Sequence, residues 1–373
     1  MFTSCPKKIL VLAVVLLLTP TLSLAKTIQF KDKFREVETA GSDITSLSVR
    51  NEGPLLAVIR REITGVGDPR PSGKLFPSSD ITSIEEMVQA INQEPKAARL
   101  TIEKTRAIEF DPGQDGQVVD MHQLYQSLLS PLSTINLPVL TSQSPVKLAQ
   151  TNSLGINELV ASGESNFSGS SKNRSHNIKV GAAKFNGIIL KPGEEFSFNK
   201  FLGDVDAKNG FLPELVIKRT GVVPEFGGGL CQVSSTTFRA TMNAGLPITE
   251  RRNHSFAVKY YAPQGTDATI YPGFTDLKFV NNLSSDMLIW TRVEGTKLFF
   301  DFYGTKDDRT VEFDGPTQYD KKSDGSMKAA WTRRVRLNGA VTEQVFKSTY
   351  LPPALFYPVE QATTPNPQAI EPT

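Results

Sequence analysis

A cysteine beside a run of glycines is the feature of this sequence with the clearest chemical potential. Cys231 follows Gly227, Gly228 and Gly229, and precedes residues 232–244, whose apolar spacing predicts a helix. A thiol at a helix N-terminus lies near the positive end of the helix dipole and near free backbone N–H groups. These lower the pKa of the thiol and can stabilise an oxyanion. The sequence therefore predicts a reactive nucleophile.

Two residues further along the chain complete a candidate catalytic group. His254 and Asp267 follow Cys231 in that order, and each is expected at the start of a strand. A histidine next to a cysteine can take the thiol proton, and an aspartate can hold the imidazole in its productive tautomer. We therefore predict Cys231 as nucleophile, His254 as general base and then acid, and Asp267 as the orienting carboxylate.

Residues around the cysteine are candidates for substrate binding. Gly228 and Gly229 allow close approach of a ligand to the backbone. The N–H groups around Cys231 and Gln232, with the Gln232 side chain, are candidate oxyanion donors, and Arg251 is a candidate contact for a substrate carboxylate. No cofactor or metal is predicted, because close ligand pairs of the kind found in zinc sites are absent from the sequence.

A structural role for Cys231 is the main alternative. Free cysteines are among the most buried residue types, and a cysteine–histidine–aspartate order arises easily by chance. Geometry distinguishes the two. Catalysis requires the sulfur of Cys231 to lie within hydrogen-bond reach of His254 in an open groove, whereas a structural cysteine is sealed by apolar contacts. Redox sensing, a third possibility, requires a partner thiol that the chain lacks once Cys5 is removed.

The N-terminus predicts export. Residues 1–25 have the pattern of a signal peptide, with Lys7 and Lys8 before an apolar run that is too short for an ordinary membrane span. Membrane attachment is therefore expected only if the leader stays uncleaved. Without the two leader lysines, basic and acidic residues both number 39, and this balance argues against a nucleic-acid partner.

The rest of the chain predicts an α+β protein with two domains. Residues 27–145 alternate strand and helix signals in the order β-α-β-β-α-β, which suits a small α/β sandwich. Polar residues 146–172 are expected to connect the domains. Residues 173–350 predict a helix packed on an antiparallel sheet, followed by β-hairpins, and proline-rich residues 351–373 predict a disordered tail.

The second half resembles the VanW family. The similar stretches are residues 174–178, 186–199, 227–236, 250–255, 265–269 and 276–282. The first half, through residues 116–120 and the strand at 137–139, resembles the peptidoglycan-binding domain that commonly precedes a VanW domain. The resemblance implies an extracytoplasmic, cell-wall-associated protein whose partner is peptidoglycan or its peptide stems. It does not imply a particular reaction.

Two hypotheses about function follow. The first is a cysteine-dependent acyl-transfer enzyme, either a hydrolase or a transpeptidase, that acts on peptide stems of the cell wall. The second is a non-catalytic protein that binds peptidoglycan or serves as a scaffold in the cell envelope. The sequence leaves the oligomeric state open.

Overall fold

The computed structural model describes residues 88–129, 134–218 and 221–356, together with the backbone of three strands near the N-terminus. The strands are β1 (Ile9–Leu17), β2 (Ser23–Gln29), β3 (Glu36–Glu38), β4 (Arg99–Glu103), β5 (Arg106–Asp111), β6 (Gly116–Val119), β7 (Thr134–Asn136), β8 (Val139–Ser142), β9 (Glu158–Asn166), β10 (Ile188–Leu190), β11 (Glu195–Ser197), β12 (Pro213–Lys218), β13 (Gly221–Phe226), β14 (Ile248–Glu250), β15 (Lys278–Val280), β16 (Met287–Glu294), β17 (Lys297–Gly304), β18 (Thr310–Tyr319), β19 (Met327–Leu337) and β20 (Ala340–Tyr350). The α-helices are α1 (Met121–Leu129), α2 (Lys172–Ala183), α3 (Phe198–Leu202) and α4 (Leu230–Asn243). Few helices and many antiparallel strands confirm the predicted α+β class.

The chain divides into two units. The first unit consists of Met1–Ala98 and Gly113–Val146, and the second of Arg99–Pro112 and Lys147–Thr373. In the first unit, β3, β1, β2 and β7 form one sheet in that order, and β6 pairs with β8. The leader cleavage and the peptidoglycan-binding role of this half stay predictions. The strand expected at residues 55–59 and the capping box at residues 83–86 lie outside the described residues.

A six-stranded sheet is the framework of the second unit. Its order is β4-β5-β10-β16-β17-β9, and every neighbouring pair is antiparallel. The hairpin between β16 and β17 turns at Glu294-Gly295, and the hairpin between β19 and β20 turns at Asn338-Gly339, as the sequence predicts. Gly295, Asn338 and Gly339 all have positive φ angles, which such tight turns require.

The β4–β5 hairpin belongs to a different unit from the one expected. The sequence places its strands in the N-terminal half, but β5 pairs with β10 of the second unit. The N–H of Ala107 donates to the Gly187 carbonyl at 2.8 Å, and Nε of Arg106 donates to the Asn186 carbonyl at 2.7 Å. An alternating pattern indicates a strand but carries no information about which distant strand will pair with it.

Part of the predicted connecting segment is also a strand of this sheet. Its serines and glycine suggest a linker, yet β9 forms an edge of the six-stranded sheet beside β17. Small residues are needed because helix α4 lies directly on this strand. A Cβ on Gly163 would overlap the α4 backbone at Ala240, and Ser165 shares a 2.7 Å hydroxyl hydrogen bond with Thr236. Phe167, just beyond β9, is buried, as expected for a docked segment end.

Helix α4 is the buried centre of the second unit and carries the cysteine at its N-terminal end. The residues predicted to face inward, Val233, Phe238, Met242 and the following Leu246, are all fully buried. Its hydroxyl side chains are buried too. Those of Thr236, Thr237 and Thr241 donate to the carbonyl four residues earlier, so that no water is needed to satisfy them.

A three-stranded sheet of β18, β19 and β20 covers another face of α4. The rings of Trp331 and Phe346 pack edge-on against Phe238 at 6.2 and 5.6 Å between centroids. The chain stays ordered beyond β20, contrary to the disorder predicted from residue 351. Leu351 donates to the Ser255 carbonyl at 2.7 Å, and Phe356 is buried against Phe256. Tertiary contacts of a few apolar residues thus override the proline-rich composition, and residues 357–373 lie outside the described part.

Candidate functional site

The glycines before Cys231 shape the start of helix α4. Gly229 is the N-cap residue with a φ of 112°, a backbone conformation that side chains disfavour. A Cβ on Gly228 would lie 2.6 Å from the Leu215 carbonyl oxygen on β12. The helix therefore begins close to the β12–β13 hairpin, and this close approach sets the position of Cys231 on the first turn.

His254 and Asp267 lie in an irregular segment and not at the start of strands. The strands predicted at residues 255–261 and 268–271 are wrong, because the chain there forms turns and one 3₁₀ turn at Lys259–Tyr261. Buried arginines satisfy this backbone in place of a strand partner. Arg239 donates to the carbonyls of Tyr261, Ala262 and Thr266, at 2.9, 3.1 and 3.4 Å. The alternation of apolar and polar residues that predicted strands belongs instead to a loop, whose residues lie by turns in the core and at the surface.

The structure nevertheless brings His254 and Asp267 together. Oδ2 of Asp267 accepts from the backbone N–H of His254 at 2.7 Å and contacts Nδ1 of the imidazole at 2.6 Å. Oδ1 accepts from the Tyr350 hydroxyl at 2.5 Å and from Nη2 of Arg251 at 3.3 Å. Burial alone would raise the pKa of Asp267, but its bond to His254, the charge of Arg251 and the Tyr350 hydroxyl together hold that pKa well below its ordinary value.

Cys231 and His254 form the second link. Because Nδ1 is held by Asp267, Nε2 is the ring nitrogen left for the thiol, and it is buried without a well-formed hydrogen bond. The sulfur lies 3.5 Å from the Thr269 hydroxyl and 3.7 Å from the Ile270 carbonyl oxygen. Burial would raise the pKa of Cys231, but the neighbouring His254 ring with its charge and the contacts to Thr269 and Ile270 outweigh burial, so the pKa is lowered.

The imidazole is shifted in the opposite direction. Burial lowers the pKa of His254, but Asp267 and the Cys231 thiolate favour the charged ring and raise the pKa from 6.5 to about 9. Tyr261 stacks on the ring at 4.2 Å between centroids and 15° between planes, which fixes its orientation. Both shifts act in the direction that favours a thiolate–imidazolium pair over the neutral pair.

The pair opens onto a groove of about 590 Å³. Cys231 is half-buried: it packs in part against the hydrophobic core and also lines the groove. The wall opposite the irregular segment is the β12–β13 hairpin, on which Leu215 and Phe226 are exposed. The polar residues that line the groove include Arg174, Asp204, Glu214 and Glu225. The groove therefore has room for a ligand beside the Cys231 thiol.

Of the four predicted substrate-binding residues, the groove includes two. Gly228 and Gly229 line it, whereas Gln232 and Arg251 do not. Gln232 is buried, with its side-chain amide donating to the Ser165 hydroxyl at 3.2 Å and its backbone N–H donating to the Gly229 carbonyl at 2.9 Å. Arg251 donates to Asp267 and to the Gly265 carbonyl, so its guanidinium is occupied inside the protein. A spacing rule finds side chains near the site but not the direction in which they point.

The backbone N–H of Cys231 is the donor that remains for an oxyanion. Within the described part of the chain no acceptor bonds to it, whereas the neighbouring N–H groups of Leu230 and Gln232 donate to Gly227 and Gly229. The first turn of a helix leaves such donors unsatisfied. This N–H belongs to the same residue as the sulfur, as in many oxyanion holes of acyl-transfer sites.

Sequence reasoning missed three residues of the site. Thr269 and Tyr261 lie in the stretch predicted as strands, where their side chains gave no sign of facing the cysteine. Tyr350 lies 83 residues after Asp267, and no local signal connects the two. Among the residues that the structure describes, no cluster of three or more possible metal ligands is found, and no helix is long and apolar enough to cross a membrane.

The fold and the site define an α+β domain in which a cysteine, a histidine and an aspartate meet at a groove. Residues 173–303 match the sequence model of the family described as "VanW like protein", within the half of the chain for which the resemblance was predicted. Over 139 residues the chain is 36% identical to "Uncharacterized protein YoaR" of Bacillus subtilis (strain 168), covering 37% of this chain and 46% of that protein. Over 174 residues it is 28% identical to "Vancomycin B-type resistance protein VanW" of Enterococcus faecalis, covering 44% of this chain and 62% of that protein.

The chain therefore matches about half the length of these curated relatives. No solved structure matches it.

Proposed function

We propose that this chain is an exported, cell-wall-associated protein whose VanW-like domain is a cysteine-dependent acyl-transfer enzyme. Its substrates are the peptide stems of peptidoglycan, and it acts as a hydrolase or a transpeptidase. The N-terminal leader pattern supports export, and the VanW-like domain supports a role at the cell wall. The arrangement of Cys231, His254 and Asp267 supports the chemistry.

The main observation in support of the proposal is that the two ring nitrogens of His254 have different surroundings. Nδ1 is bound to a fully buried carboxylate, and Nε2 has no well-formed hydrogen bond inside the protein. A buried polar atom without a partner is costly, and such atoms occur where function requires them. Cys231 and His254 both line the same open groove, which supports a catalytic role over that of a sealed structural cysteine.

In the first half-reaction the Cys231 thiolate attacks the carbonyl carbon of a substrate amide. A carbon–sulfur bond forms, and the carbonyl electron pair moves to the oxygen, which the backbone N–H of Cys231 stabilises. When this intermediate collapses, the carbon–nitrogen bond breaks and the His254 imidazolium gives its proton to the departing amine. The product is a thioester on Cys231 and a neutral imidazole.

In the second half-reaction the neutral His254 removes a proton from the attacking group. If water attacks the thioester, the peptide is hydrolysed. If the amine of a second peptide attacks, a new amide forms and the protein is a transpeptidase. In both cases the sulfur leaves as a thiolate, and the imidazolium is restored. Asp267 stays ionised throughout, because its role is to orient and stabilise the charged ring.

The groove supports a peptide as the ligand. Exposed apolar side chains of the hairpin wall can contact the aliphatic part of a peptide, whereas Arg174 can bind a carboxylate. Arg174 takes over the role first predicted for Arg251. Its guanidinium lies 3.9 Å from the centre of the Tyr260 ring and donates to Ser170, so it is held in place at the groove.

The test is the pH dependence of Cys231 alkylation by iodoacetamide, followed by mass spectrometry of the mature protein. We expect a labelling midpoint well below the ordinary thiol value of about 8.5, and a rise toward that value in the His254→Ala variant. The matched control is His176→Ala, because His176 is exposed and bonds to the Gly210 carbonyl outside the groove. This variant should label like the wild type.

A second measurement tests the substrate class. Incubation with purified peptide stems should add the mass of an acyl group to the wild type and not to Cys231→Ala. If Cys231 is labelled only after denaturation, or its midpoint is ordinary, the acyl-transfer proposal is wrong. Binding of the protein to purified cell wall then becomes the function to measure.

A further inference from the structure

The C-terminal strand β20 lies outside the residues that match the VanW-like family model, yet it reaches the site. The match ends at residue 303, and β20 spans Ala340–Tyr350. At its end, Tyr350 is 1% exposed, and its hydroxyl makes two short hydrogen bonds. It donates to Oδ1 of Asp267 at 2.5 Å and accepts from the N–H of Gly265 at 2.7 Å.

The same strand also holds the segment that carries His254. The side-chain amide of Asn253 donates to the Thr349 carbonyl at 2.8 Å, and the Leu351 N–H donates to the Ser255 carbonyl at 2.7 Å. Two residues before Asn253, Arg251 donates to the hydroxyl of Ser348, the residue before Thr349 on β20, at 3.0 Å. The end of β20 therefore binds the chain on both sides of His254.

The two oxygens of Asp267 are fixed by different parts of the protein. Among the residues that the structure describes, Oδ2 is bound by His254 alone, through its backbone and its ring. Oδ1 is bound by the Arg251 guanidinium at the longer distance of 3.3 Å and by the Tyr350 hydroxyl at 2.5 Å. Without Tyr350 a single long contact would restrain Oδ1, and the carboxylate could rotate away from the imidazole.

We propose that Tyr350 is a positioning residue of the site, and that β20 completes the site by holding Asp267 and the His254 segment in register with Cys231. Tyr350 does not touch the substrate. It acts through Asp267, which in turn orients the imidazole. This inference rests on the proposed function for its consequence, but the hydrogen bond it concerns is measurable without a substrate.

The experiment compares Tyr350→Phe with the wild type, because the phenylalanine keeps the packed ring and removes only the hydroxyl. The first readout is the alkylation midpoint of Cys231, which should rise by roughly half to one pH unit as the imidazolium loses support. The second readout is the proton NMR resonance of the Nδ1–H that bonds to Asp267, which should move or broaden. The matched control is Tyr319→Phe on β18 of the same sheet, where the side chain is 41% exposed, and it should change neither readout.

The outcomes separate the two proposals. An ordinary alkylation midpoint in the wild type overturns the proposed function, whereas the Nδ1–H resonance still tests Tyr350. If the wild type has a low alkylation midpoint, and Tyr350→Phe changes neither that midpoint nor the Nδ1–H resonance, the positioning role is wrong. This holds even if the variant unfolds more easily. If Tyr350→Phe does not fold, Asn253→Ala tests the same strand contact and should shift both readouts in the same direction. No shift in that variant also overturns the proposal.

Discussion

A single carboxylate, that of Asp267, connects the buried interior to the reactive thiol. It accepts hydrogen bonds from a backbone N–H, an imidazole, a guanidinium and a phenol. Four donors around one carboxylate explain why it stays ionised although it is fully buried. The negative charge of Asp267 also stabilises the protonated form of His254 and thereby raises the pKa of the imidazole.

Asp267→Asn should therefore reduce both reactivity and stability. An asparagine keeps the shape but leaves the buried Arg251 without its charged partner, which costs about 3–5 kcal/mol of unfolding free energy at neutral pH. The labelling midpoint of Cys231 should rise. Chemical denaturation and alkylation measure the two effects.

The loss of stability in Asp267→Asn depends on pH in a defined direction. The folded-state pKa of Asp267 lies below its ordinary value of 3.8, so its stabilisation is complete above that value and is lost as the pH falls through the folded-state pKa. The stability difference between wild type and Asp267→Asn should shrink on acidification. The matched control is Asp276→Asn, because Asp276 is also buried but bonds to Ser197 and Asn199. It should lower stability without changing the Cys231 midpoint, and a shift there would contradict the specific role of Asp267.

At the scale of elements, helix α4 depends on cations at its C-terminal end. The guanidinium of Arg333 on β19 is buried and donates to the carbonyls of Thr241, Met242 and Leu246 at 3.1, 3.4 and 2.8 Å. The carbonyls of Thr241 and Met242 also accept from the N–H groups of Leu246 and Gly245, so Arg333 is an additional, charged donor at the helix end, where a cation also interacts with the helix dipole. Burial lowers the pKa of Arg333 to about 10, which still leaves it charged at neutral pH.

Arg333→Met should lower the free energy of unfolding by about 2–4 kcal/mol, because the buried hydrogen bonds from a charged donor to Thr241, Met242 and Leu246 are lost. Arg334→Met on the same strand is the control. Arg334 is exposed and pairs with Glu343 at 2.7 Å, and exposed ion pairs contribute at most about 1 kcal/mol. Urea titrations of both variants provide the comparison. Equal losses of unfolding free energy in the two variants would mean that the contacts of Arg333 with the helix end contribute no more stability than an exposed ion pair.

At the scale of the whole molecule, the second unit extends beyond its VanW-like region on both sides. Strand β9 lies before residue 173, and the β18–β20 sheet lies after residue 303. Both pack on α4, through Gly163 on one side and through Trp331 and Phe346 on the other. The helix that carries Cys231 is therefore covered in part by residues outside the matched region.

We expect a fragment of residues 173–303 to lack cooperative unfolding and a fragment of residues 147–356 to show it. Each large apolar side chain that loses its cover forfeits about 1.5–3 kcal/mol, and a domain has only about 5–15 kcal/mol in total. Circular dichroism during heating tests both fragments. Deleting residues 357–373, which the sequence predicts to be disordered, is the control and should leave the transition unchanged. Cooperative unfolding of 173–303 would show that the flanking strands are dispensable.

The extent to which the sequence predicts this protein depends on the distance over which residues interact. Local signals were sufficient for helix α4 and for the hairpin turns at Gly295 and Gly339, whereas the catalytic roles of Cys231, His254 and Asp267 stay predictions. They failed for β9, whose small residues looked like a linker because the helix that requires them lies more than 60 residues away. They failed for Arg251 and Tyr350 because a side chain's partner depends on the folded chain and not on its neighbours.

The position of Tyr350, 119 residues after Cys231, has a consequence for the order of events in the cell. A ribosome adds the cysteine long before it adds β20, so a nascent chain carries the thiol without this strand. If β20 aligns His254 as proposed, the sulfur remains an ordinary, weakly nucleophilic thiol during synthesis. Its full reactivity is then expected only once β20 has docked. Late completion of this kind limits reaction of the cysteine with other molecules before the protein is finished.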